Sequence, residues 1–316
     1  MDRPYVEWVR AENFRCIKSA DLHLTPLHAL IGPNDSGKSS ILRAINGGAR
    51  VAWWNSRTTA TMKGLDEGGD DAPPAHGEQY WPTSGSRSAD LVPARALLRF
   101  DPDALRHNVP LIPRGTPLWF RDEKGLGLPG LYDALLARDR SAFVQIDDRF
   151  RQLFPTVRAI RLENADASTK TMGLTLRDGT EVGPHEMSEG MLYWLAFAII
   201  EHLAPQAILL IEEPENGLHP ARIKEVMKVL REVSQRTQII LATHSPLVIN
   251  ELKPEEVTIV TRTGEQGTIC TPMVETKHFQ TRKEIYALGE LWLSFADGDL
   301  ERELVPDATA PAASAG

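Results

Sequence analysis

The segment that most restricts the fold of this chain is Gly32-Pro33-Asn34-Asp35-Ser36-Gly37-Lys38-Ser39, which lies between an apolar strand pattern and a helical pattern. Its two glycines allow backbone N–H groups to turn toward one point, and the start of the following helix favours an anion there. Lys38 can reach the terminal phosphates of a nucleotide, and the Ser39 hydroxyl can bind Mg²⁺. The segment therefore predicts a P-loop, and the alternative is a glycine-rich turn that only starts a helix. The predicted nucleotide contacts are Asn34, Asp35, Ser36, Gly37, Lys38, Ser39 and Ser40.

The rest of the chain alternates between apolar strands and amphipathic helices. Apolar runs such as 208–211 are followed by helical patterns with one apolar face, such as 220–235, which is typical of a parallel sheet covered on both sides. Residues 5–24 alternate apolar and polar side chains, which favours antiparallel strands. We therefore expect an α/β P-loop NTPase fold with a central, mostly parallel sheet, an antiparallel N-terminal β subdomain and a helical or irregular insertion.

Shifts in composition indicate how the chain is divided. Residues 47–87 are rich in Gly, Asp and Pro and lack an apolar period, so we expect a mobile surface loop there. The expected segments are a core at 1–46 and 155–265, an insertion lobe at 47–154, a C-terminal strand and helix at 266–305, and a disordered tail at 306–316.

The composition restricts the partners and the compartment. The net charge is −8, so DNA binding would need a local basic patch. Cys16 and Cys270 lack metal-ligand spacing, which favours reduced thiols in a cytoplasmic protein. The apolar run 191–200 is about half of what spans a bilayer, and no signal peptide opens the chain, so no membrane partner is expected. Five arginines in the middle region form either a solvated face or a DNA-contacting lobe: Arg87, Arg95, Arg106, Arg114 and Arg121.

Two carboxylates, Glu212 and Glu213, directly follow the apolar run 208–211. Ligands of open α/β sheets bind at the C-terminal ends of strands, and consecutive strand residues face opposite sides. We therefore expect Glu212 to bind Mg²⁺ and Glu213 to activate the attacking water. Lys38 is also predicted to be catalytic. His244 follows the next apolar strand and can hydrogen-bond the γ-phosphate or the water. The alternatives are a solvated acidic turn and a structural histidine.

The order of these motifs resembles the ABC-type ATPases, and more narrowly the soluble SMC, RecF and OLD-like branch. The similarity rests on Asn13-Phe14-Arg15, on Ser188-Glu189-Gly190 opening a helix, on "IEEPENGLHP" and on "ATHS". It covers about residues 1–45 and 155–262. The resemblance implies an ABC-ATPase-like head that binds ATP and Mg²⁺, with Arg15 near the nucleotide.

The resemblance also implies a homodimer. In the family, residues at the positions of Ser188 and Gly190 close on the γ-phosphate that the other copy's P-loop holds, so that two ATP molecules lie between two heads. Ser188 would also cap its own helix. Two departures from the family are present. Glu212 stands where most of the wider family has Asp, and no Q-loop glutamine can be placed, because Gln145 and Gln152 lie in helical patterns.

Three functions fit these motifs. The first is a head-only ATPase that dimerises around ATP in DNA maintenance or repair, or in anti-phage defence, with DNA, an effector nuclease or another protein encoded nearby as its partner. The second, the ATP-binding subunit of a transporter, is disfavoured by the "NFR" opening and by the missing Leu-Ser-Gly-Gly-Gln. The third is a switch in which ATP binding, rather than turnover, is the signal.

The stretch after His244 is too short for the nuclease domain that OLD proteins carry, so none is expected there. Asp297 and Asp299 then belong to a solvated helix end. The same stretch has the pattern of an amphipathic helix, in which Trp292 and Phe295 pack in the core or against a partner.

Overall fold

The computed structural model describes residues 6–47, 51–55, 58–63, 95–264 and 267–276. They form two compact units, which we call the P-loop unit (within 6–63 and 242–276) and the middle unit (95–241). The strands are β1 (Trp8–Phe14), β2 (Ile17–His23), β3 (Leu27–Ile31), β4 (Val51–Asn55), β5 (Thr58–Lys63), β6 (Arg95–Leu98), β7 (Val109–Pro110), β8 (Val157–Asn164), β9 (Thr169–Leu176), β10 (Glu181–Val182), β11 (Ile208–Glu212), β12 (Gln238–Thr243), β13 (Val257–Thr263) and β14 (Gly267–Pro272). The α-helices are α1 (Lys38–Ile45), α2 (Pro102–Leu105), α3 (Leu128–Arg138), α4 (Arg140–Leu153), α5 (Glu189–Ile199), α6 (Pro220–Val233) and α7 (Pro246–Ile249). Single 3₁₀ turns lie at Ile200–His202, Pro254–Glu256 and Met273–Glu275.

The P-loop unit contains an antiparallel sheet in the order β2-β1-β4-β5. β1 runs against β2 from Trp8 opposite His23 to Phe14 opposite Ile17. This sheet confirms the predicted antiparallel N-terminal β subdomain. Residues 51–55 and 58–63 form β4 and β5, where the sequence predicts a loop. The valine, tryptophan and threonine residues of this stretch have a high strand propensity. The loop was predicted because the residues that follow are rich in Gly and Asp.

The second sheet of the P-loop unit has the order β14-β13-β3. β13 is parallel to β3, with Val257 opposite Ala29, and antiparallel to β14, with Val260 opposite Cys270. All five residues of β3 are buried. The residues that α1 buries are Ile41, Leu42, Ala44 and Ile45. The strand and the helix that flank the glycine loop are therefore both fixed by apolar burial.

In the middle unit, β6 and β11 are parallel, with Leu98 opposite Ile211. β12 is next to β11 in the strand order, begins in this unit and enters the P-loop unit with its last two residues. α5 is buried along almost its whole length, and its Trp194 stacks at 5.6 Å from Phe150 of α4. Parallel strands next to a buried helix confirm the predicted α/β class.

A further sheet of the middle unit is built around β9, which pairs with β8 on one side and with β10 and β7 on the other. Of these strands only β7 lies in the predicted insertion, 47–154, whereas β8, β9 and β10 lie in the segment predicted as core. Arg149 on α4 lies 3.2 Å from Glu225 and 3.9 Å from Glu232, both of which lie on α6. The predicted insertion also supplies β6, which pairs with β11. No helix in the described ranges is long and apolar enough to cross a membrane.

The buried imidazole of His28 on β3 is satisfied by two hydroxyl groups. The Thr25 hydroxyl donates to Leu27 O at 2.6 Å, so His28 Nδ1–H donates to Thr25 Oγ1 at 3.2 Å. His28 Nε2 then accepts from the Thr258 hydroxyl at 2.9 Å. Burial, with a smaller contribution from the charge of His23, lowers the pKa of His28 to about 3. The ring is therefore neutral in the folded chain at physiological pH.

This neutral histidine should make the free energy of unfolding fall as the pH is lowered. An unfolded histidine protonates near pH 6.5, whereas folded His28 does so only near pH 3, so the unfolded state binds more protons between these values. Linkage predicts a loss of about 2 kcal/mol between about pH 7.5 and about pH 5. His28→Gln retains a hydrogen-bond donor and an acceptor but cannot be protonated. Between these two pH values its free energy of unfolding should therefore fall by about 2 kcal/mol less than that of wild type, measured by urea unfolding with circular dichroism. The exposed His185→Gln is the control, and coinciding pH dependences of wild type and His28→Gln would refute the assignment.

Candidate functional site

The loop between β3 and α1 is tight because two of its glycines approach neighbouring strands. A Cβ on Gly32 would lie 2.1 Å from Val260 O and 2.7 Å from Ser36 Oγ. Gly37 has a φ of +110°, in the left-handed region that favours glycine, and a Cβ there would lie 2.4 Å from Thr268 Oγ1. Both space and backbone conformation therefore require the two glycines of the predicted P-loop.

The polar groups of this loop suit an anion at the start of α1. Lys38 Nζ donates to Gly32 O and to Pro33 O, each at 2.7 Å. Within the described ranges no side chain caps α1, so its first N–H groups and its dipole favour a bound phosphate. Ser36 is 4% exposed, and its Oγ has no hydrogen-bond partner among the described residues, as expected for a group that serves a ligand. The exposed polar side chains of this segment are Asn34, Asp35 and Ser39.

Two residues that the sequence pattern did not indicate, Thr268 and Cys16, also touch the loop. Thr268 Oγ1 lies 3.2 Å from Ser36 O and 3.4 Å from Cys16 O, so its single proton can serve either carbonyl. Cys16 Sγ lies 3.3 Å from Ser40 Oγ. Burial alone raises the pKa of the Cys16 thiol, but hydrogen bonds with Ser40 and Thr268 and the charge of Arg262 outweigh it, and the pKa is lowered. These contacts join residues far apart in sequence, so no local pattern could have revealed them.

Arg15 lies in the turn between β1 and β2, in the same unit as the loop. Its φ is +53° and that of Asn13 is +48°, so "NFR" forms a tight turn with two left-handed residues. The exposed Arg15 side chain lies with its guanidinium carbon 5.5 Å from the centre of the Phe14 ring. Because the next residue, Cys16, contacts Ser40, this turn lies beside the loop. The approach of Arg15 to a nucleotide stays a prediction.

Glu212 and Glu213 lie at the C-terminal end of β11 in the middle unit. Glu212 is 4% exposed, and its Oε2 is 3.6 Å from Arg99 Nη1, which follows the neighbouring strand β6. Glu213 lies beyond the strand with a φ of +50°, and its Oε2 accepts a hydrogen bond from Asn216 Nδ2 at 2.7 Å. The expectation that the two carboxylates alternate along a strand therefore fails for Glu213, because a left-handed turn orients it. The sequence pattern indicated neither Arg99 nor Asn216.

Ser188 and Gly190 open α5. Ser188 is the N-cap, and its Oγ accepts from Met191 N at 3.4 Å. A Cβ on Gly190 would lie 3.2 Å from Gly217 O, in the turn that follows β11. Gly217 has a φ of +65°, and a Cβ there would lie 2.3 Å from the Tyr193 ring. The start of α5 and the turn after β11 are thus packed as one piece.

His244 follows β12, lies in the P-loop unit and is exposed. The Ser245 N–H donates to Thr243 Oγ1 at 3.0 Å and shapes the turn there. Its catalytic role stays a prediction, as do those of Lys38 and Glu213. Gln145 and Gln152 lie in α4, so the structure assigns no Q-loop glutamine from this pair.

The arginines proposed for a DNA-contacting lobe make local contacts. Burial lowers the pKa of Arg95 on β6. Arg106 lies 2.9 Å from Asp103, and Arg121 donates to a backbone carbonyl at 3.5 Å, while Arg114 is exposed. Residues named from the sequence that lie outside the described ranges are Arg87, Trp292, Phe295, Asp297 and Asp299.

Magnesium would suit the two oxygen donors that the sequence predicts as its ligands, one in each unit. In the described part of the chain, no group of three or more His, Cys, Asp or Glu side chains could hold a metal ion. Mg²⁺ usually takes only one or two protein carboxylates and completes its shell with phosphate oxygens and water. The hydroxyl of Ser39 and the buried carboxylate of Glu212 are donors of this kind.

The α/β fold and the glycine loop define a P-loop ATPase. Residues 83–250 match the family model described as "AAA domain, putative AbiEii toxin, Type IV TA system", and residues 5–47 match that of an "AAA ATPase domain". The first match covers more than half of the chain, so the chain belongs to this AAA-domain family.

Among curated proteins, the chain is 23% identical over 334 residues to an OLD nuclease of Thermus scotoductus (strain ATCC 700910 / SA-01). The alignment covers 83% of this chain and 63% of the nuclease. The chain therefore spans less than two thirds of that relative. Among solved structures it is similar to an SMC head bound to the C-winged helix domain of ScpA (TM-score 0.53, 17% identity, 85% of this chain and 97% of that chain). It is also similar to a Smc head with an extended coiled coil bound to the C-terminal domain of ScpA from Pyrococcus furiosus (TM-score 0.50, 16% identity, 89% and 99%). The predicted ABC-ATPase-like head fold is thereby confirmed.

Thr268→Val tests whether β14 shapes the nucleotide loop. Valine keeps the volume of threonine but removes the hydroxyl that bonds to Ser36 O, and a lost hydrogen bond of about 1 kcal/mol should weaken ATP binding about fivefold. The measurement is a titration with a fluorescent ATP analogue. Thr271→Val, on the same strand, is the matched control. Equal affinity of Thr268→Val and wild type would show that this hydroxyl does not shape the loop.

Proposed function

We propose that the chain hydrolyses ATP and that two copies close around the nucleotide to do so. The observation that carries the proposal is the end of β11, where the buried carboxylate of Glu212 is followed by Glu213 in a tight turn. Glu212 lies at the C-terminal end of a strand, where ligands of open α/β sheets bind, and Mg²⁺ prefers oxygen ligands, which supports the use of Glu212 in binding Mg²⁺. The neighbouring Glu213 then has the position of a base for the attacking water.

Each residue of the site has a separate task in this proposal. Lys38 and the first N–H groups of α1 bind the phosphate oxygens, and Ser39 and Glu212 would hold Mg²⁺, which supplies positive charge to the phosphates. Glu213 accepts a proton from water as the water oxygen bonds to the γ-phosphorus, and the bond from that phosphorus to the β-phosphate oxygen breaks. ADP and phosphate are the products. His244 would donate a hydrogen bond to the γ-phosphate.

A second copy would complete the site with the N-terminal end of its α5. This helix is 11 residues long, and its exposed N-cap, Ser188, lies beside Gly190. The helix dipole and free N–H groups there favour a phosphate oxygen. The Ser188 capping bond to Met191 N is long, at 3.4 Å, so the hydroxyl can exchange it for a phosphate oxygen at little cost.

The proposed setting is anti-phage defence, or DNA maintenance and repair, with DNA or an effector protein as the partner. The family description names a toxin–antitoxin system, and the Thermus relative is an OLD nuclease. Both SMC heads are bound to domains of ScpA. These relatives support, by analogy alone, a head whose ATP cycle controls a separate partner. An ATP-gated switch with little turnover is the competing proposal.

Glu213→Gln separates hydrolysis from switching. Glutamine keeps the shape of the side chain but cannot accept the proton, so single-turnover phosphate release should fall by at least about a hundredfold. ATP binding should persist, and light scattering after size exclusion should show a dimer that outlives the wild-type dimer in ATP.

The exposed Glu201→Gln, in the same unit, is the matched control and should hydrolyse ATP at the wild-type rate. If wild type and Glu213→Gln both bind ATP and dimerise, and both show the same negligible turnover, the competing proposal of an ATP-gated switch is correct. Unchanged turnover in Glu213→Gln would exclude Glu213 as the base.

A further inference from the structure

We propose that Asn216 is a positioning residue that holds the carboxylate of Glu213 in the orientation needed to activate water, an inference that rests on the proposed hydrolysis. Asn216 Nδ2 donates to Glu213 Oε2 at 2.7 Å. The backbone N–H of Asn216 also donates to Glu213 O, at 3.0 Å. Two hydrogen bonds therefore join the same two residues, one between backbones and one between side chains.

The turn that carries this pair is itself fixed. Glu213 has a φ of +50° and Gly217 a φ of +65°, so two left-handed residues bracket the turn. Gly217 lies so close to Tyr193 of α5 that a Cβ would come within 2.3 Å of the ring. The Tyr193 hydroxyl in turn donates to Phe100 O at 3.3 Å. Asn216 thus lies on a turn that packing against α5 keeps in place. Its side-chain amide is therefore a hydrogen-bond donor whose position relative to the Glu213 carboxylate is fixed.

The amide suits this task chemically. A carboxylate on a flexible side chain rotates freely, and a base removes a proton efficiently only when one oxygen faces the water. The bond from Nδ2 to Oε2 restricts the rotation of the Glu213 carboxylate and so limits the directions in which Oε1 can point. An amide N–H carries no charge and does not titrate near neutral pH, so it orients the base without competing for its proton.

Other charged groups surround the pair and remain in every variant. Glu212, Glu215 and His219 lie on the same segment as Glu213. From α5, Glu189 Oε2 would be 3.4 Å from a Cβ on Gly217. The residues after β6 contribute Arg99, which lies 3.6 Å from Glu212, and also Asp101 and Arg106, whose charges act on Tyr193.

A purely structural role for Asn216 is the competing explanation, because asparagine is common in turns. Two substitutions separate the roles. Asn216→Asp keeps the size and turn preference of the residue but places a second carboxylate at hydrogen-bond distance from Glu213. Asn216→Ala removes the donor without adding a charge. The control Asn164→Asp makes the same charge change at an exposed position on β8.

The experiment measures kcat and KM for ATP, together with ATP affinity and melting temperature, for the full chain. We expect Asn216→Ala to lower kcat about tenfold with ATP affinity within about twofold of wild type. We expect Asn216→Asp, which keeps the size of the residue but loses the amide donor, to lower kcat by a similar factor, again with ATP affinity close to that of wild type. Asn164→Asp should match wild type in every measurement.

ATP affinity and melting temperature that fall in parallel with kcat in both Asn216 variants would show a structural role and overturn the inference. A kcat equal to that of wild type in Asn216→Ala would also overturn the inference, and this test does not depend on whether Asn216→Asp folds. Glu213→Gln, measured beside them, keeps the two proposals apart. If Glu213→Gln is inactive and the Asn216 variants behave as wild type, only the role of Asn216 is wrong; if Glu213→Gln is active, the proposed base is wrong.

Discussion

The close approach of the glycine loop to β13 and β14 is the constraint on which the rest of the site depends. Gly32 leaves no room for a Cβ beside Val260 O, and Gly37 leaves none beside Thr268. The loop is therefore shaped by strands that come more than two hundred residues later in the chain, as well as by its own sequence. β3, the strand that leads into the loop, is wholly buried, so its packing fixes the start of the loop. A loop held in this way presents its N–H groups without a large rearrangement on ligand binding.

A second rigid piece joins the acidic strand end to the start of α5. Gly217 packs on Tyr193, and Gly190 packs against Gly217 O, so the turn that carries Glu213 and the helix that begins at Ser188 cannot move independently. In a dimer, a force applied at the start of α5 would therefore reach the carboxylate that is proposed to activate water.

The sequence predicted those parts of the site whose residues are contiguous or periodic. The P-loop, β3, α1, the end of β11 and the start of α5 follow from glycine spacing and apolar periodicity, and all lie where expected. Thr268, Cys16 and Arg99 were missed because they join the site only through contacts with distant segments. The left-handed backbone of Glu213 was not predicted, because strand alternation ends with the strand at Glu212, and backbone conformation in a turn leaves no periodic signal.

The claim that one nucleotide site needs two copies can be tested directly by mixing two inactive variants. Lys38→Ala removes the phosphate-binding lysine, and Ser188→Arg blocks the start of α5, so each variant alone should fail to hydrolyse ATP. A mixed dimer has one site in which an intact P-loop meets an intact α5, so an equimolar mixture should recover about a quarter of the wild-type rate. No recovery, with both variants folded and Ser188→Arg still binding ATP, would contradict a site shared between two copies.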